Sequence, residues 1–101
     1  MIVKERKGYF YILTNKYNKV LYAGSAVDLG MRLNEHRIKA DPKSFTAKYN
    51  VTKLVYFEAL PSIKNAINRE RQVKGWVRAK KIELIERLNP EWRDLGEKFF
   101  R

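Results

Sequence analysis

Two short runs of aromatic and β-branched residues, Tyr9–Thr14 and Lys19–Ala23, flank only four residues, Asn15–Asn18. No other feature limits the fold as much, because strands joined so briefly can only fold back on each other as an antiparallel hairpin. Val51–Leu60 (VTKLVYFEAL) is the strongest strand signal of the chain. Gly24 and Ser25 interrupt the second run, and Ser25 with Asp28 three residues on suits a helix start. A helix is expected from Val27 to near Lys39 on Leu29, Leu33 and Ile38, then a loop over 41–50 with room for one helical turn. Ser62, after Pro61, should cap a second helix that runs to Lys74 and stops at Gly75. A third, Arg78–Leu88, places Ile82, Ile85 and Leu88 on one face before Asn89-Pro90 ends it. Trp92, Leu95, Phe99 and Phe100 in the tail should begin to pack back on the body. The order β-β-α-β-α-α describes an α+β fold: a small, largely antiparallel three-stranded sheet flanked by helices.

At 101 residues with 45% apolar side chains, one domain over 1–101 is expected, without repeat, linker or low-complexity stretch. The absence of cysteine removes disulfides and thiolate metal sites. The single histidine, His36, removes any mechanism that needs two imidazoles. The longest apolar run, Tyr9–Leu13, is too short to span a bilayer or to act as a signal peptide, so a cytoplasmic location and no membrane partner are expected. Charge is the strongest compositional signal. The net charge is +11, with 10 basic and 4 acidic residues in 1–50 and 12 and 7 in 51–101. The surplus belongs to the whole chain and not to a tail, which suits a polyanionic partner. Within 69–81, six of thirteen residues are Arg or Lys and only Glu70 is acidic. A solvated, solubilising helix face would carry the same run.

Three polar features break the local patterns. Glu70 falls among Ile63, Ala66, Ile67 and Val73, the stripe of the second helix expected to face inward. A carboxylate there must be paired with a base, hold a cation or open onto a cleft. Arg32 and His36 lie one turn apart on the first helix. They could clamp a phosphate and move a proton, or be an ordinary surface pair. Alternation puts Tyr9 and Tyr11 on one sheet face, and hairpin pairing can bring Tyr22 beside them. A tyrosine patch in a sheet also serves as core or as a stacking platform.

Taken in order, these residues resemble the GIY-YIG nuclease domain in its small single-domain form. Tyr9-Phe10-Tyr11 stands for the first motif and Tyr22-Ala23-Gly24 for the second. Asp28-Leu29, Arg32-Leu33 and His36 match the family's helix. Arg69–Trp76 resembles the helix with the metal-binding glutamate, here Glu70, and Asn89–Leu95 the closing motif, with Asn89 at its asparagine. The match spans about residues 9–95. Tyr9 and Phe10 replace the Gly and Ile of the first motif, Ala23 the Ile of the second, and Ala26 stands where relatives often carry Thr.

The resemblance implies metal-dependent hydrolysis of a DNA phosphodiester, as in homing endonucleases, restriction enzymes and DNA-repair excision subunits. Glu70 would hold one Mg²⁺ or Mn²⁺ ion, which needs few protein ligands. Tyr22, assisted by His36, would orient or deprotonate the attacking water, and Arg32 would stabilise charge on the phosphate. Tyr11 would position water or phosphate, Asn89 would hold the geometry, and Lys48 and Arg69 would contact the duplex. The partner would be DNA, with RNA left open, and no small-molecule cofactor is implied. Tyr11, Tyr22, Arg32, His36 and Glu70 should then converge on one basic, concave surface. The rival reading is a basic nucleic-acid-binding domain that keeps the fold without cutting. A membrane-surface binder is a weaker alternative, since the chain lacks a long amphipathic basic helix with aromatic anchors.

Overall fold

A computed structural model of the chain describes residues 7–99. Its central strand, β1 (Gly8–Thr14), pairs antiparallel with β2 (Leu21–Ala26) on one side and β3 (Lys53–Leu60) on the other. Because side chains alternate across a strand, β1 feeds two cores. Phe10 and Ile12 join Val55, Tyr56, Val73, Leu84 and Ile85 on one face. Tyr11 and Leu13 join Ala26, Leu29, Leu33, Val51 and Leu54 on the other. Helices α3 (Ile63–Lys74) and α4 (Arg78–Leu88) cover the first face, and α1 (Leu29–Arg37) and a 3-10 turn at Leu95–Phe99 cover the second. The expected α+β fold is the one observed. Among the described residues, no helix is long and apolar enough to cross a membrane.

Local signals explain most element ends. The hairpin turn closes through Asn18 N–H donating to the Asn15 carbonyl, while Asn15 Oδ1 accepts from Lys19 and Val20. Asn18 sits at φ 58°, a left-handed conformation that asparagine tolerates. Ser62 caps α3 by accepting from Asn65 N–H, and Gly75 ends it. The one helical turn allowed for in 41–50 is α2 (Phe45–Lys48), capped by Ser44 and anchored by buried Thr46 and Ala47.

Tertiary packing overrides the sequence expectation at several places. Gly24 and Ser25 do not interrupt β2 but lie inside it, because Gly24 pairs with Tyr11 and leaves room for that ring. The helix start therefore moves to Leu29, with Asp28, not Ser25, accepting from Met31 N–H. Ile38 becomes the exposed C-cap of α1. On α3 only Ala66 and Val73 are buried and Ile67 is exposed. On α4 the buried pair is Leu84 and Ile85, while Leu88 is 75% exposed. Leu95 packs on the second core as expected, whereas Phe100 lies outside the described residues.

A bulge in β3 links the sheet to the chain's last segment. Ile12 pairs with Tyr56 but Leu13 with Leu54, so Val55 is an extra residue whose carbonyl needs a partner from outside the ladder. Asn89, buried just after α4, donates through Nδ2 to that carbonyl (3.0 Å) and to the Arg93 carbonyl (2.9 Å), and accepts from Arg93 N–H (3.0 Å). Replacing it strands a buried carbonyl. Asn89→Ala is therefore expected to lower the unfolding free energy by about 1–3 kcal/mol. Leu88→Ala next to it should change it by less than about 0.5 kcal/mol. Urea denaturation of the two variants checks both.

Candidate active site

The site begins with a missing methyl group. A Cβ on Gly24 would stand 2.5 Å from the Tyr11 hydroxyl, so glycine at this position lets the phenol cross β2 and reach α1. There its oxygen lies 3.2 Å from His36 Nε2. The other ring nitrogen, Nδ1, lies 2.8 Å from the Thr46 hydroxyl on α2. A neutral imidazole donates from one nitrogen and accepts at the other, and hydroxyls serve either role. His36 is thereby fixed between two elements.

Tyr22 completes the cluster, its ring 6.4 Å from Tyr11 and 5.7 Å from His36. Tyr22, Arg32, Glu35, His36, Phe45 and Thr46 line a cleft of about 510 Å³ beside α2. Tyr11 is fully buried at the inner end of this group. Burial, followed by the neighbouring Tyr22, pushes its pKa well above the usual phenol value; Arg32 opposes the rise, and Glu70 and Glu35 add to it. Tyr11 therefore keeps its proton. His36 is held below its ordinary 6.5 by burial first and by Arg32 second, with Glu35 opposing. Its imidazole is uncharged near neutral pH and can accept a proton.

Glu70 approaches from the other sheet face. Ser25, next to Gly24 in β2, donates to Glu70 Oε1 at 2.7 Å, and Lys74 donates to Oε2 at 2.6 Å. The pairing with a base that the spacing left open is thus present. It is an i,i+4 contact in which the lysine side chain is 52% exposed and the glutamate side chain 21% exposed; a partner on so exposed a stem holds weakly. Among the described residues, no three His, Cys, Asp or Glu side chains are grouped as metal ligands.

Tyr11, Tyr22, Arg32 and His36 are brought together, and Glu70 is close enough for its charge to act on the Tyr11 phenol. The remaining candidates lie elsewhere. Arg69 makes paired bonds to Glu58 at 3.0–3.2 Å and one to Gln72, and stands over the Phe10 and Trp76 rings. Asn89 is occupied with backbone groups of the core. Lys48 is exposed on α2, 5.6 Å from the Tyr49 ring centre. Three site neighbours have no role in the sequence reading: Ser25, Thr46 and Phe45. The signal for Ser25 was its place directly after the second tyrosine motif. For Thr46 and Phe45 it was the capping serine, Ser44, just before them.

A sequence model of the GIY-YIG catalytic domain matches residues 7–83; Asn89 lies beyond that span. The chain is similar to a UPF0213 protein of Syntrophus aciditrophicus, 38% identical over 85 residues, covering 84% of this chain and 95% of that one. It is similar also to a UPF0213 protein of Haloquadratum walsbyi, 32% identical over 78 residues, covering 77% and 85%. Among solved structures, the solution NMR structure of a UPF0213 protein from Bacillus halodurans matches with a TM-score of 0.55 and 27% identity. It covers 87% of this chain and 92% of its own.

The lowered pKa of His36 has a measurable consequence. Between that value and 6.5 the unfolded chain binds more protons than the folded one, so stability rises with pH through this window and is lost as pH falls through it. The imidazole proton resonances of His36 should titrate with a midpoint below 6.5. Arg32→Ala, which removes the second cause of the lowering, should move that midpoint back towards 6.5. A wild-type midpoint at or above 6.5 would contradict the burial of the ring.

Proposed function

The chain belongs to the GIY-YIG family, and from that premise we propose that it is a divalent-metal-dependent endonuclease acting on DNA phosphodiester bonds. The observation that carries this reading is the cleft itself. A neutral imidazole, a tyrosine and an arginine line it, with the buried Tyr11 hydroxyl behind them, and the charges of Glu35 and Glu70 reach that phenol, in a chain of net charge +11.

The donor set suits one hard cation. Mg²⁺ keeps several waters and takes few protein ligands, so one carboxylate suffices. Glu70 presents two oxygens at the rim of the edge strand, with Ser25 fixing the orientation of Oε1. Lys74 must release Oε2, and its exposed, flexible stem permits that. When bound, the cation supplies charge neutralisation at the phosphate and a template for water. The chain's own residues do the rest. Arg32 stabilises the charge that builds on the phosphate oxygens. Tyr22 orients the attacking water, and His36 takes the proton that leaves it on whichever ring nitrogen accepts, once the hydroxyl bonded there gives way to the water. Tyr11 keeps its proton and holds His36 in place, while Thr46 fixes the imidazole from the other side.

The second reading, a basic domain that binds without cutting, draws on the Lys74–Glu70 pair, which neutralises the carboxylate without any metal. Nicking of plasmid DNA with and without Mg²⁺ or Mn²⁺ separates the two. Glu70→Ala should abolish metal-dependent nicking, and Arg32→Ala should slow it by about 10²–10³-fold. Lys74→Ala, which frees Oε2, should lower the Mg²⁺ concentration needed for half-maximal rate. The rate should rise with pH through a midpoint below 6.5 as His36 loses its proton. Salt-sensitive binding with no metal-dependent product would establish the binding module instead.

A further inference from the structure

Outward from His36 the aromatic rings continue past the catalytic cluster. Tyr22 stacks on Phe45 with ring centres 6.3 Å apart and planes 25° apart, and Phe45 meets Tyr49 at 4.9 Å and 50°. Phe45 and Tyr49 are 47% and 46% exposed. The short helix α2 does not need them as anchors, because Thr46 and Ala47 are the residues it buries. Half-exposed aromatics in a continuous series that starts at the wall of a cleft, with Phe45, and continues outside it, with Tyr49, are a binding feature more than a packing one. The Lys48 ammonium stands over the face of the outer ring, 5.6 Å from the Tyr49 centre, so the series carries its own positive charge.

An intact duplex has little use for such a surface. Its bases are covered by their neighbours, and it presents only sugar, phosphate and groove edges. An unpaired strand offers bare base faces, and aromatic side chains bind these with little regard to sequence while basic groups follow the phosphates. We infer that Phe45 and Tyr49 form a base-stacking platform and that the strand entering the cleft is unpaired DNA. The inference rests on the proposed function only in taking the cleft as a nucleic-acid site. One base stacks on the exposed side of Phe45 and the next on Tyr49, where it takes the place of the Lys48 ammonium, which moves onto the phosphate between them. Lys48 then acts on a single strand and not on a duplex.

Binding is measured in metal-free buffer with EDTA, so that cleavage plays no part. The probe is an oligonucleotide of about 12 nucleotides with a 2-aminopurine in its middle, used alone or annealed to its complement at one salt concentration. The single strand should bind at least about ten-fold more tightly, and its 2-aminopurine fluorescence should be quenched on binding. Tyr49→Ala and Phe45→Leu should each weaken single-strand binding by about five- to 150-fold and change duplex binding by less than about two-fold. Phe45→Leu keeps the apolar bulk that the fold sees and removes only the aromatic face, and Tyr49→Phe should bind as the wild type does. Equal affinity for both probes, unquenched 2-aminopurine, or equal weakening on single strand and duplex would overturn the inference. Loss of nicking with single-strand preference intact would count against the nuclease reading alone. Nicking without that preference would count against the platform alone.

Discussion

The close approach of the Tyr11 phenol to Gly24 is the contact on which the remaining site geometry depends. β1 is the middle strand, so its residues are claimed by one core or the other, and Tyr11 is fully buried. A buried tyrosine needs a polar partner for its hydroxyl. It reaches one only by passing over an edge-strand residue that has no side chain. That passage places the hydroxyl at His36 and so fixes how α1 sits on the sheet. The arrangement also explains why β2 runs through Gly24 and Ser25 in place of breaking there.

Adjacent residues of β2 then serve opposite faces. Gly24 receives Tyr11 on the α1 side, and Ser25 binds Glu70 on the α3 side. Since β2 is an edge strand, the two faces meet at its open border and not through the body of the sheet. On the proposed reading, a carboxylate on one helix and an imidazole on another would address one phosphate from that border, each held by its own face. Arg69, one position from Glu70, shows the contrast. Helical geometry turns it to Glu58 and the Phe10 and Trp76 rings, where it ties α3 to β3.

How much was legible follows from how local each cause is. The hairpin turn, the Ser62 cap and the Gly75 stop rest on interactions within a few residues, and the sequence displays them directly. The Arg32–His36 spacing likewise puts both side chains on the cleft, and the helical phase of Glu70 places it half-buried. The continuation of β2 depends on a ring from another strand, and the bond from Ser25 to Glu70 spans 45 positions. No local pattern carries either. The resemblance gives Asn89 a part in the site's geometry, but its partners at the β3 bulge answer a need created by register, which no local pattern displays. Thr46 lay hidden because a four-residue helix has too little periodicity to be read, although its capping serine is plain.

The pairing of Glu70 with Lys74 does not decide between an acid that holds a metal and one that merely balances a base. Glu70 is as covered as Glu58, but its lysine partner is half exposed and free to turn into solvent, so the pair does little to reserve the carboxylate against a divalent cation presented with a phosphate. A purely structural Glu70 would gain more from a partner as enclosed as the one Glu58 has in Arg69, whose side chain is 24% exposed. Instead Glu70 has one oxygen fixed by a short hydroxyl and the other answered by a lysine on a flexible stem. Such a division holds the carboxylate still while leaving one of its oxygens exchangeable. That is a physical requirement for gripping a cation without moving the helix that bears the acid.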